Sequence, residues 1–103
     1  MDAKAAFRSF AEFYPLYLSE HSNRVSRRLH FAGTTVALAC ILSSILLRQP
    51  WGLVPALIAG YGFAWVGHFF FEKNRPATFS HPWYSLAGDW VMWKDMIIGK
   101  IPL

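Results

Sequence analysis

The stretch LVPALIAGYGFAWVGHFFFEKNRPA, Leu53 to Ala77, turns from an apolar run into a charged segment within a few residues. Leu53 to Phe71 gives 19 residues with no charge apart from His68, close to the ~20 apolar residues an α-helix needs to cross a bilayer core. Glu72, Lys73, Arg75 and Pro76 then end it. Working backwards, Phe31 to Leu47 is a second charge-free run, of 17 residues, extended by Leu29 and His30. Between the two lies Arg48-Gln49-Pro50-Trp51-Gly52, a short turn with an aromatic residue suited to a membrane interface. Gly60, Gly62 and Gly67 permit close helix contact.

The expected fold is therefore an all-α membrane protein, a two-span helical hairpin (spans about 29–47 and 53–71) flanked by amphipathic N- and C-terminal helices, in one membrane-embedded domain over 1–103. Composition agrees: 54% of the 103 residues are hydrophobic and 16% charged. A soluble helical protein with two buried helices is the alternative, but so little polar chain cannot cover them. The net charge of +4 does not form a basic stripe with interleaved aromatics, so nucleic acid is not expected as a partner. Of ten Lys and Arg residues, five precede the first span, four follow the second and only Arg48 lies in the turn. Both termini are thus expected on the cytoplasmic side of a bacterial inner membrane or the endoplasmic reticulum. The amino terminus lacks a signal-peptide pattern, and the single Cys40 reads as packing.

Ahead of the first span, Phe7, Phe10, Ala11, Tyr14 and Tyr17 recur at helical steps, predicting an amphipathic helix over Ala5–Tyr17 that Pro15 kinks or ends. It lies in the headgroup layer, packs on the rest of the protein, or both. Ser22 or Asn23 can cap a new helix starting near Arg24. Behind the second span, Thr78 to Pro82 reads as a turn, followed by Trp83, Leu86, Ala87, Trp90, Val91, Ile97, Ile98 and Ile101 at helical steps. Asp89, Lys94 and Asp95 interrupt that segment too often for a third full span, leaving an interfacial or re-entrant helix.

His68 and Glu72 stand four apart, so an α-helix would project both from one face. In an antiparallel pair of spans His30, opening the first, comes level with His68, closing the second, and His21 and His81 flank the pair on the same side. His21 and His30 would lie on opposite faces of one helix and can meet only if the chain turns near Asn23. Each histidine alone has a plain explanation as a loop, helix-end or His-Pro turn residue. Together His21, His30, His68 and His81 suggest a shared site for iron or zinc, for which imidazole and carboxylate are suitable ligands. Glu72 is either a ligand or an orienting partner, or it pairs with Lys73, Arg75 or an arginine of the first span. Asn23 donates to the site or caps the helix. Arg28, Arg75 or Arg27 can pair a carboxylate, or else anchor anionic lipid.

Two blocks carry a resemblance to a known family. His21-Ser22-Asn23 with His30, and Gly67-His68-Phe69-Phe70-Phe71-Glu72-Lys73-Asn74-Arg75-Pro76-Ala77, resemble the amino-terminal histidine block and the Gly-His-x-x-x-Glu-Lys-x-Arg-Pro-Ala block of the membrane-bound 2-hydroxy fatty acid dioxygenases of fatty acid α-oxidation. With the intervening spans the likeness covers about Phe13 to Ala77. It implies an Fe(II)-dependent enzyme that uses O2 to convert a 2-hydroxy fatty acid to the acid one carbon shorter, the carboxyl carbon leaving as CO2. His21, His30 and His68 would then be iron ligands and Glu72 a ligand or its support. The family's fungal form has no matching histidine at His81 and has an additional hydrophobic stretch between the blocks. A zinc-dependent lipid hydrolase, or a non-enzymatic membrane scaffold, is the competing reading. Two spans make a thin wall around an acyl chain, so a homodimer or higher oligomer is expected, with glycines of the second span at the contact.

Overall fold

The computed structural model describes residues 7–103, which are helical without any strand. Four α-helices run Phe10–Ser19 (α1), Arg24–Leu46 (α2), Leu53–Val66 (α3) and Pro82–Ile97 (α4). A 3₁₀ turn, Pro50–Gly52, leads into α3, and a π-helical turn, Gly67–Glu72, continues it. The predicted start of the first helix at Ala5 lies outside the described residues. Ser9 caps α1 by accepting from the Glu12 amide, and the helix runs through Pro15 to Ser19 rather than ending there. Of the two candidate caps, Ser22 and Asn23, it is Asn23 that caps α2, its side-chain oxygen accepting from the amides of Val25 and Ser26 at 2.9 and 3.2 Å. That cap starts α2 several residues ahead of the expected apolar boundary.

α2 and α3 pack in reverse order along their lengths: Ser26 meets Gly67, Gly33 meets Ala59 and Phe63, Ala37 meets Gly60, and Ser44 meets Gly52. Glycine is needed where they touch most closely. A Cβ on Gly33 would lie 2.7 Å from the Ala59 carbonyl oxygen, and one on Gly67 would lie 2.8 Å from Ser26 Oγ. Gly67 therefore serves contact within the chain, whereas Gly62 faces open space. Both helical stretches, Arg24–Leu46 and Pro50–Glu72, are long and apolar enough to cross a membrane. Their outer faces are bare: Leu46 is 81% exposed, Ile58 68% and Phe70 70%.

α1 and α4 close the other side. Their core joins Phe13 and Tyr17 to Ala77, Met92 and Met96. The expected apolar stripe of the last helix is not its buried face: Trp83, Ile97 and Ile98 are exposed, while Ser85, Gly88, Met92, Asp95 and Met96 are buried. The inward face carries small and acidic groups because it meets two tyrosine hydroxyls. Tyr14 donates to Asp95 at 2.9 Å and Tyr17 to Asp89 at 2.6 Å. Burial works to raise the Asp95 carboxyl, but the Lys94 ammonium and the Tyr14 hydroxyl outweigh it and hold Asp95 below the usual carboxylate range.

Candidate functional site

Three of the four histidines come together. The break at Glu20–Asn23 turns the chain between α1 and α2, and the ring centre of His21 lies 5.5 Å from that of His30 and 4.4 Å from that of His68. All three are buried, at 2–4% exposure. Tyr17 stacks on His21 with ring centres 4.2 Å apart. His81 is placed differently. It precedes α4 with its ring against Phe7 and Phe13, at 5.1 and 5.5 Å, and Nδ1 is 3.2 Å from Ser80 Oγ.

Hydrogen bonds fix the rings. His21 Nδ1 meets the Tyr17 carbonyl at 2.7 Å; a carbonyl only accepts, so Nδ1 carries the proton and Nε2 the lone pair. That Nε2 is buried without a hydrogen-bond partner. Burial first, then the neighbouring His30 and His68, holds His21 well below the ordinary imidazole range and keeps it neutral. His68 Nδ1 lies 2.7 Å from Asn74 Oδ1, and the Asn74 amide nitrogen donates to the Glu20 carbonyl at 3.0 Å. This orients the amide, so His68 donates from Nδ1 and keeps its lone pair on Nε2.

The backbone at His68 explains why Asn74 can reach it. Lys73 takes a left-handed conformation (φ 57, ψ 43), folding the chain so that the amides of Lys73 and Asn74 both donate to the His68 carbonyl. His68 and Glu72 both lie in the π-helical turn Gly67–Glu72, and their side chains bond to different partners. Glu72 points at the start of α2, where its two oxygens accept from the Asn23 amide and the Ser22 hydroxyl. Asn23 itself is occupied as the cap of α2. Arg27, rather than Arg28, touches the histidine loop, donating to the carbonyls of Ser22 and His21 at 3.1 and 3.4 Å. Arg28 is exposed. Arg75 is also exposed, its guanidinium 5.0 Å from the centre of the Phe79 ring, at an open cleft with Phe69, Lys73 and Asn74.

The third ring is tied to α4. His30 Nε2 lies 2.9 Å from Asp89 Oδ1 and 3.1 Å from the Tyr17 hydroxyl. Burial and the charge of Asp89 push the Tyr17 phenol well above its ordinary value, so the hydroxyl keeps its proton and donates it to Asp89. His30 Nδ1 is buried without a hydrogen-bond partner. Gly88 allows this approach, since a Cβ there would come within 2.9 Å of the Tyr17 ring. Asp89 also lines a cavity of about 320 Å³ between α2, α3 and α4, whose other walls include Thr34, Ala37, Ile41, Leu57, Gly60 and Leu86. Its volume falls within the ≈ 300–1,000 Å³ of small-molecule sites.

Tyr17, Asn74 and Asp89 are the residues that sequence reading missed. Asp89 had a signal: a carboxylate amid Ala87, Gly88, Trp90 and Val91 is costly unless paired. Tyr17 stands four before His21, a stacking distance on a helix.

Buried imidazoles with free lone pairs fit an imidazole-binding ion in donor type and tautomer. Among the described residues, however, no group of three or more His, Cys, Asp and Glu side chains is arranged to hold a metal ion. Fold and site together define a small all-helical protein in which a buried histidine cluster is joined, through Asp89, to an apolar cavity.

The chain belongs to the 2-hydroxy-palmitic acid dioxygenase Mpo1-like family, whose model matches residues 7–101. No curated protein and no solved structure matches it.

Proposed function

We propose that this protein is an Fe(II)-dependent membrane dioxygenase that converts a 2-hydroxy fatty acid to the acid one carbon shorter. The observation that carries the reading is the apolar cavity whose acidic wall residue, Asp89, is bonded to His30 of the buried histidine cluster. An acyl tail lies in the cavity between α2, α3 and α4, and its polar head reaches the histidines. One hydroxy acid and one O2 give the shortened acid, CO2 and water, which balances without a further reductant. By donor type and tautomer, though not by a ready-made arrangement, His21, His30 and His68 are the residues that would hold the iron, which when bound supplies the means of activating O2.

The chain's own groups do the rest. Asn74 and the Tyr17 carbonyl hold the His68 and His21 rings with their lone pairs on Nε2. Glu72 ties the π turn to the start of α2 and so fixes the spacing of His68 from His21. The side chains around the cavity exclude water from the tail. The bare apolar faces of α2 and α3 support a two-span membrane hairpin, and the charge distribution supports cytoplasmic termini. Association into a homo-oligomer would use a face such as the one carrying Gly62, which is free within the chain.

The test is anaerobic iron loading of protein purified without a histidine tag, followed by O2 and 2-hydroxypalmitate. Loss of the acid with appearance of the one-carbon-shorter product is expected, and His21→Ala, His30→Ala and His68→Ala should each abolish it. Survival of the acid while iron stays bound would refute the reaction, and retention of zinc in preference to iron would point to the hydrolase.

A further inference from the structure

We infer that Asp89 is the positioning residue that decides which nitrogen of His30 carries the ring proton, and that Tyr17 stands ready to reverse that choice when Asp89 is removed. The state of the ring follows from the structure alone; its bearing on metal affinity rests on the function proposed above.

Three groups meet at one point. Asp89 Oδ1 accepts from the Tyr17 hydroxyl at 2.6 Å and lies 2.9 Å from His30 Nε2. An ionised carboxylate has no proton to give, so the Nε2 contact is a hydrogen bond only if Nε2 carries the hydrogen. The neutral ring then has its lone pair on Nδ1, the buried nitrogen without a hydrogen-bond partner. A histidine whose other nitrogen donates to a carboxylate is the arrangement that fixes ring orientation and raises ligand basicity in metal sites.

Tyr17 makes the arrangement conditional. Its hydroxyl is already 3.1 Å from Nε2, but its proton goes to Asp89. Remove the carboxylate and the nearest acceptor for that proton is Nε2 itself. The ring proton then has to sit on Nδ1, and the lone pair is lost from the nitrogen that had been free. Gly88 keeps α4 close enough to Tyr17 for the three groups to be coupled in this way. Asp89→Ala therefore does more than delete a bond: it hands Nε2 to the wrong partner. Removing Tyr17's hydroxyl as well takes that partner away.

The experiment is ¹⁵N NMR of histidine-labelled, metal-free protein in detergent micelles, at a pH where the rings are neutral, with His30 assigned by its absence in His30→Gln. Wild type and Tyr17→Phe should both show a protonated Nε2 and a lone-pair Nδ1. Asp89→Ala should show the reverse, and Asp89→Ala combined with Tyr17→Phe should return to the first pattern. A merely structural Asp89 would give no such return. An unchanged tautomer in Asp89→Ala, or a reversed one in Tyr17→Phe alone, overturns the inference. If Asp89→Ala does not fold, Asp89→Leu takes its place: it likewise leaves no acceptor beside Nε2, so the tautomer should reverse, and an unchanged tautomer overturns the inference. Titration with Co(II) reads the consequence: Asp89→Ala should weaken binding about 10–100-fold, with partial recovery in the double variant. Wild-type protein that binds no metal would sink the proposed function, and the tautomer measurement would still decide this inference.

Discussion

Gly88→Ala is a small change with a large expected consequence. An ideal Cβ at Gly88 would lie 2.9 Å from both Cδ2 and Cε2 of Tyr17 and 3.1 Å from Cγ. Carbon atoms pack best at about 3.5–4.0 Å, so helix and ring must separate by roughly 0.6–1 Å. The ring has little freedom to give way: Tyr17 is 1% exposed, stacked 4.2 Å from His21 and bonded to Asp89 at 2.6 Å. Overpacking of this kind costs about 1–3 kcal/mol, while alanine gains ~0.8–1.0 kcal/mol over glycine in a helix. The net loss is then about 0–2 kcal/mol. Gly62→Ala is the matched control, because nothing lies within 4 Å of its Cβ and only the helix gain remains. Unfolding of both variants in the same detergent should therefore separate them by about 1–3 kcal/mol. The His21 and His30 ring resonances should shift in Gly88→Ala and stay in place in Gly62→Ala. Equal stabilities and unshifted rings in the two variants would refute the claim that Gly88 sets the distance between α4 and the histidine cluster.

Three further outcomes can be checked. Asn74→Leu removes the acceptor for His68 Nδ1 and the donor to the Glu20 carbonyl; a buried polar group left unsatisfied costs about 1–3 kcal/mol, to be read as lower unfolding stability together with weaker metal retention. Gly60→Leu places a side chain on the cavity wall where a Cβ meets only Ala37 at 3.7 Å, so the fold should survive while turnover of long 2-hydroxy acids falls before that of short ones, measured as the ratio of the two rates. Asp95 is held below its ordinary value in the folded chain, so between that folded value and the unfolded value of about 3.9 the unfolded state binds more protons. Its contribution is present above the unfolded value and is lost as pH falls through the folded one. Acid titration of stability should show this loss in wild type and not in Asp95→Asn; identical profiles would count against the Tyr14–Asp95–Lys94 arrangement.

Local pattern was enough to determine a good part of this protein. Two charge-free runs of nearly equal length predicted two long apolar helices, and Asn23 declared the start of one of them, because capping and helical burial act between residues a few positions apart. The family-like blocks around His21 and His68 were legible for the same reason, being contiguous. Even the meeting of His21, His30 and His68 could be anticipated once the spans were set antiparallel.

Tertiary structure decided the rest. His68 and Glu72 were expected to serve one site, and the fold bonds His68 to Asn74 and Glu72 to the Ser22–Asn23 start of α2, partners that no local spacing names. His81 shared the expected layer, but its ring joined Phe7 and Phe13 instead of the other histidines. Asp89 lies 59 positions from His30 and 72 from Tyr17, and in the sequence it is one charge interrupting an apolar helix. Nothing in a helix's own periodicity states which distant groups it will meet. Whether such a carboxylate is solvated or fixes the proton on an imidazole depends on the closeness of two helices, and here a missing side chain at Gly88 sets that distance.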